Sequence, residues 1–343
     1  MLKQHRNRFV MMITALIALI CFSIYIHLTN GTFDMTVKEI ITTLFRVNPD
    51  PNFDLVIFHF RLPRIVIAAL VGLGLGIAGT VVQGITRNGL ADPGILGINA
   101  GAGASIVLFM FFFQMQLVVS GTSNWFSILI MPVFGFVGGL VAALIIYSFA
   151  WRNGKLDTQR LILTGIAISS GFGALSMYIS LKMRASDFEM ATVWMSGSIY
   201  NANWVFIVAM LPWLLILLPI IFRKAYILDY LQLEEATIKS LGIQIEKEKA
   251  ILLLSSVGII SACVSVSGSI SFIGLMAPHI ARQLVGIHHR FVIPISGAVG
   301  MFLVIISDYI AKTLFAPAEI PVGIIVAILG VPYFLYLLVK SKA

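Results

Sequence analysis

Charge is what this chain has least of. Of its 343 residues only 11% are Asp, Glu, Lys or Arg, against about 25% in a soluble domain. Charged side chains are needed to cover a water-facing surface, so the deficit argues against a soluble enzyme, a nucleic-acid binder and a disordered chain. Cysteine is nearly absent. Cys21 and Cys263 both lie in apolar runs and cannot form a disulfide framework or a four-ligand zinc site. No Walker A loop occurs, so any ATP chemistry must come from another polypeptide. No Ser/His/Asp set and no cluster of metal ligands is apparent.

What is present is apolar. Hydrophobic residues make up 59% of the chain, with a mean hydropathy of +0.99. A helix that crosses the ~30 Å hydrocarbon core needs ~20 predominantly apolar residues. Phe9–Leu28, preceded by Lys3, Arg6 and Arg8, is too long for a signal-peptide core and lacks a small-residue cleavage site, which predicts an uncleaved first span. Ile65–Thr86 carries no charge and is the second. No charged residue occurs from Pro93 to Trp151; this run is broken at Gly121-Thr-Ser-Asn124 and holds two spans. Leu161–Leu181 is the fifth. Met190–Phe222 has a polar entry and then a sixth. Ala250–Ala281, interrupted at Ser265–Ser271, gives two shorter spans. Phe291–Ala311 and Ile320–Val339 complete ten. With both termini inside, most of the 23 Lys and Arg fall on the cytoplasmic side, as the positive-inside rule requires.

Several motifs stand out. Gly74-Leu-Gly-Ile-Ala-Gly79 matches a dinucleotide fingerprint, but that fingerprint needs a soluble strand–turn–helix unit. Inside a charge-free membrane span, small residues serve close helix approach instead. Gln83–Gly97 places Arg87, Asn88, Asp92 and Pro93 among glycines beside a span. It reads either as an ordinary cytoplasmic turn or as a broken segment lining a cavity. Ser265–Ser271 occupies a comparable place in the second half, and one glycine-broken segment per half is a transporter pattern. Arg223–Lys249 holds the densest charge. Within it, Asp229–Gly242 has apolar residues at 228, 231, 238 and 241 and Gly242 at a C-cap position. This predicts a short amphipathic helix, either a solvated connector or a docking element. On the outer face, Arg61-Leu-Pro-Arg64 puts two cations at the mouth of the second span, where Pro63 suits a first turn. Lys312 follows Asp308 at i+4, a spacing that also fits a local ion pair.

Together, Arg61–Arg64, Gln83–Gly97, Gly268–Arg282, Pro317–Gly323 and Leu329–Phe334 resemble the FecCD family, and the likeness runs from about residue 10 to 340. That family comprises permease subunits of type II ABC importers for iron–siderophores, haem and cobalamin. The sequence looks most like Gram-positive ferric catecholate-siderophore permeases of the bacillibactin-uptake kind. The resemblance implies an all-α integral membrane fold of ten helices, one permease domain over 1–343 with a cytoplasmic coupling loop at 223–249. It implies a bacterial plasma membrane, a paired permease (a related sister subunit or a second copy), two cytoplasmic ATPase subunits and an extracellular binding protein. No cofactor is expected in this chain, with ATP and Mg on the ATPase. Arg61, Arg64 and Lys312 match docking positions for the binding protein. The family usually has Arg where Lys312 stands, and lysine cannot offer its bidentate fork. Asn88, Gly89 and Leu90 match the cytoplasmic gate; Pro is usual at the Gly89 position, so the turn is looser here. Leu233, Glu234, Glu235, Ala236, Ser240, Leu241 and Gly242 match the coupling element, which is more acidic than is common. Outside this family, an ATPase-independent secondary transporter is the competing reading. It predicts an ion-binding carboxylate within a span, and the only near-membrane acids, Asp308 and Glu319, sit at the outer end. His279 is read as structural, and His288 and His289 as part of the cytoplasmic flank.

Overall fold

The computed structural model describes residues 2–31, 33, 35–47, 50–94, 97–114, 124–152, 155–316 and 318–341. The expected turn at residues 121–123 and Pro317 of the 317–323 motif lie outside them. Each of the ten expected spans falls on a helix. They are α1 (Leu2–Thr29), α3 (Pro51–Thr86), α4 (Ile98–Phe109), α5 (Asn124–Ala150), α6 (Thr158–Ser180), α8 (Trp204–Arg223), α11 (Ile245–Ser267), α12 (Ile273–Val285), α13 (His289–Thr313) and α14 (Val322–Ser341). Shorter helices between them are α2 (Val37–Leu44), α7 (Ala185–Met195), α9 (Ala225–Tyr230) and α10 (Glu235–Ser240).

Among the described residues, seven helices are long and apolar enough to cross a membrane alone. The expected third, eighth and tenth spans are not among them. At 13 residues, α12 reaches only ~20 Å, and it packs against α3 and α13. The helix before it runs unbroken to Ser267 and stops at Gly268 (φ +66°). A Cβ there would lie 1.8 Å from the Trp194 carbonyl oxygen, so both backbone conformation and space demand glycine.

Helices α3 and α11 form the centre. In their most apolar windows 78% and 83% of residues are buried, against 17% for both α1 and α6. The glycines of the 74–79 motif explain how closely the centre packs. A Cβ on Gly76 would lie 2.4 Å from Ser296 O, and one on Gly79 would lie 2.0 Å from Gly274 O. Backbones thus touch without intervening side chains, the packing expected for small residues in a membrane helix. Ser296 Oγ also donates to Gly76 O at 2.7 Å.

Two local expectations are corrected. Arg61 and Arg64 do not flank a helix start. The helix of the second span begins at Pro51, and a π-helical stretch, Leu55–Arg61, runs into the α-helical part at Leu62, one residue before Pro63. A π turn shifts the backbone pairing where proline lacks its N–H. The helix expected over 229–242 is two short helices, α9 and α10, separated at 231–234. Leu228, Leu231 and Ile238 are buried as the pattern requires, while Leu241 is 57% exposed. Gly242 follows the cap residue Leu241 at φ +75°, the left-handed position that ends helices.

Candidate translocation path and its two ends

The two broken segments meet. Asp92 Oδ1 accepts from Gly94 N at 2.9 Å, and Asp92 Oδ2 accepts from Phe272 N at 3.2 Å. A carboxylate of the first segment therefore caps the first turn of α12, where orphan N–H groups need an acceptor. Pro93 lies so near Gly274 that a Cβ there would come within 2.6 Å of its ring. Phe272 itself is held at φ +66°, a strained backbone for an aromatic residue. Of the two readings of Gln83–Gly97, the cavity-lining one is what the fold displays. Asp92, Gly94 and Asn99 from this side and Ser269, Ser271 and Phe272 from the other line a cavity of about 600 Å³.

Below the cavity, Asn88 Oδ1 accepts from Leu90 N at 2.9 Å, which shapes the turn through Gly89. Arg282 donates to Gln83 Oε1 beside it. The cytoplasmic element is tied to this turn. Arg87 Nη2 donates to Leu233 O at 2.8 Å, and Gln232 Nε2 donates to Gly84 O at 3.2 Å. Leu233, Glu234, Ala236, Ser240, Leu241 and Gly242 are exposed, and Glu235 opens α10. His289 is not mere flank. Its ring is buried, Nδ1 lies 2.6 Å from Asp229 Oδ1, and its N–H donates to the same oxygen. Burial raises the Asp229 carboxyl, but the two hydrogen bonds and the charge of His289 outweigh it, and the net shift is downward.

The outer end is built from charge. Arg64 holds Asp308 bidentately, through Nε at 2.7 Å and Nη2 at 2.8 Å, and reaches Glu319 through Nη1 at 2.7 Å. His27 Nε2 sits 2.8 Å from Asp308 Oδ2. Sequence spacing suggested a local pair between Asp308 and Lys312; the aspartate turns instead to Arg64 and His27. Arg61 is also buried, donating to the carbonyls of Leu28 and Phe33. Neither arginine is a rim charge here, whereas Lys312 is half-buried. Nothing in the sequence marked His27, which lies 281 residues from its partner. Trp194, Asn99 and Ser169, which line the cavity, were likewise unmarked, because apolar and serine-rich helices have no local signature of a wall.

Among the described residues no group of His, Cys, Asp and Glu is arranged to hold a metal ion. The FecCD transport family matches residues 15–340. The chain is 56% identical over 326 residues to the iron-uptake system permease protein FeuC of Bacillus subtilis, covering 95% of this chain and 96% of that one. It is 42% identical to the iron(3+)-hydroxamate import system permease protein FhuG of the same organism, over 99% of both chains. The solved structure of a metal-chelate type ABC transporter in an inward-facing conformation superposes with a TM-score of 0.80 at 30% identity, covering 95% of this chain and 98% of that one. These likenesses do not favour the ATPase-independent alternative. This multi-span protein of a bacterial membrane belongs to the FecCD transport family, as a permease subunit of an ABC importer working with an ATPase, a substrate-binding protein and a second permease, and it is a transport component rather than an enzyme.

Proposed function

We propose that the chain carries a ferric siderophore into the cytoplasm by alternating access, paired with a related permease and driven by two ATPase copies. Both termini lie in the cytoplasm, ATP and Mg bind the ATPase, and this chain needs no cofactor of its own. The observation that carries this reading is the continuity from cytoplasmic element to cavity. The 231–242 element bonds to the end of α3 through Arg87 and Gln232. That end leads through Asn88–Leu90 to Asp92, which caps α12 at the cavity. A push on α10 therefore reaches the cavity floor through a short chain of contacts. The ferric cargo is supported by the 56% identical iron-uptake permease.

Docking of the binding protein falls to Lys312 first. Arg61 and Arg64 are engaged inside the protein, so reversing their charge would disturb the fold as well as docking. Lys312→Glu is the cleaner variant: it should slow uptake at low binding-protein concentration, since rim charges govern encounter. The coupling assignment is tested by deleting residues 234–240. ATPase co-purification or ATP-driven uptake should be lost, and intact uptake would overturn the assignment.

A further inference from the structure

Outside the spans, one helix keeps an apolar stripe uncovered. α2 opens on a capping box, in which the Thr36 and Glu39 side chains each accept from the other's backbone N–H. Its apolar residues stand at 37, 40, 41 and 44, the spacing of one helix face. That face is divided. Ile40 is buried with Met35 and Ile57 in a small cluster of its own, whereas Val37, Ile41 and Leu44 are 45%, 50% and 37% exposed. Phe45, at the C-cap, is exposed too and continues the stripe. Lys38 and Glu39 are the only ionisable residues of α2, and their charges cancel. Thr42 and Thr43 turn their hydroxyls back to helix carbonyls. A contiguous apolar surface of this kind marks a contact with protein or with membrane.

The neighbours of α2 fix its depth. Ile57 belongs to the π-helical stretch of α3, and the carbonyl of the next residue, Phe58, accepts from Trp204 Nε1 at 2.7 Å. Trp204 is exposed and opens α8. Tyr25 is exposed one turn before the end of α1, and α1 also touches α2. Exposed Trp and Tyr at helix ends mark the boundary between hydrocarbon and water. α2 therefore lies at that boundary, and the topology proposed above makes it the outer one.

We propose that α2 is an interfacial helix, with Val37, Ile41, Leu44 and Phe45 sunk among the acyl chains of the outer leaflet and Lys38 and Glu39 in the headgroup layer. Amphipathic helices of this kind lie in the interface plane with the apolar face buried ~5–10 Å. The stripe carries no charged or hydrogen-bonding side chain to give a protein partner register, and lipid asks for none. Because the charges of α2 cancel, the contact is with acyl chains and needs no anionic headgroup. Through the Ile40–Ile57 cluster the bilayer then steadies the first turns of α3, which carry Arg61 to the outer end. The inference takes its outward side from the transport reading and adds a lipid contact that transport itself does not require.

The test is site-directed spin labelling of the assembled importer in phosphatidylcholine nanodiscs. Val37→Cys, Lys38→Cys, Ile41→Cys and Leu44→Cys are made singly in a chain that carries Cys21→Ala; Cys263 is buried and takes no label. Oxygen partitions into lipid, and a nickel chelate stays in water. Collisions should favour oxygen at Val37→Cys, Ile41→Cys and Leu44→Cys and the nickel chelate at Lys38→Cys, a reversal within one turn of helix. Size-exclusion profiles matching the wild type's accompany each label, and the four positions are exposed, so the fold tolerates them. Nickel favoured at Ile41→Cys and Leu44→Cys as well would overturn the lipid contact. So would a stripe closed to both probes, which assigns it to the second permease, or one closed to both only after the binding protein is added, which assigns it to docking. An impermeant thiol reagent applied to intact cells keeps the topology apart. Lys38→Cys that reacts only after lysis defeats the outward placement and the outer-leaflet assignment together. Nickel favoured at Ile41→Cys, with Lys38→Cys reactive from outside, defeats the lipid contact alone.

Discussion

The two ends of the molecule are held by different chemistry. At the outer end, one guanidinium binds two carboxylates and a histidine shares one of them, with Asp308 almost wholly buried. Three helices, α1, α3 and α13, and the approach to α14 are bound into one ionic knot. At the cytoplasmic end, single hydrogen bonds to backbone carbonyls join the 231–242 region to α3, and the donor Arg87 is exposed. A buried charge cluster resists removal of any member, because the survivor is left uncompensated in low dielectric. An exposed contact such as that of Arg87 to Leu233 O exchanges with water at small cost. The difference is mechanical: the Arg64–Asp308 end is held by buried charge, and the 231–242 end is held by fewer and weaker contacts.

The largest effect should come from breaking the knot. Asp308→Ala leaves Arg64 with Glu319 as its one carboxylate partner and should cost about 3 kcal/mol, seen as a lower melting temperature in detergent and poor accumulation in the membrane. Replacing Arg64 and Asp308 together by apolar residues should recover much of that loss. Full additivity of the two single changes would show that they are not a coupled pair. Next in size is Gly268→Ala at the broken segment. The left-handed backbone and the nearby Trp194 carbonyl should together cost roughly 2–4 kcal/mol, checked by thermal unfolding and by loss of uptake. A melting curve like the wild type's would mean that the break has room to relax.

Smaller still is the effect of loosening the lever. Arg87→Ala should leave the ATPase bound, lower stability by about 1 kcal/mol, and reduce uptake per ATP hydrolysed in proteoliposomes. An unchanged transport-to-hydrolysis ratio would dismiss the Arg87 link. Smallest is the pH effect of the Asp229–His289 contact. The Asp229 carboxyl is lowered from 3.8 in the folded state. Its contribution is therefore complete above that value and is lost as pH falls through the folded pKa. Wild type and Asp229→Asn should differ in melting temperature near neutrality and converge below about pH 3.8. A difference that persists in acid would assign the stabilisation to something other than the carboxylate.

Features carried by local pattern were legible in the sequence. Apolar run length located the apolar helices, seven of which among the described residues are long enough to cross a membrane, and small residues without charge identified Gly74–Gly79 as a packing seam rather than a nucleotide loop. Paired interruptions located both segments that meet at Asp92 and Phe272. Features made by distant residues were not legible. The Arg64–Asp308 pair spans 244 positions, so the sequence offered Arg64 as an exposed cation and Asp308 as a neighbour of Lys312. His289 sat in a run of basic residues that also suits a flank, and only the fold brings Asp229 to it. The split between α9 and α10 escaped notice because buried Leu231 continues the helical spacing across the turn. Asn99, Ser169 and Trp194 come from three helices, and no one stretch of sequence holds the cavity they share.

The account's central claim is that movement of cargo through this permease is powered from outside the chain. Proteoliposomes holding the two permeases, with the binding protein and a radiolabelled ferric siderophore supplied outside, should accumulate nothing until the ATPase is incorporated and ATP is enclosed. Accumulation above background in the vesicles lacking the ATPase would contradict it.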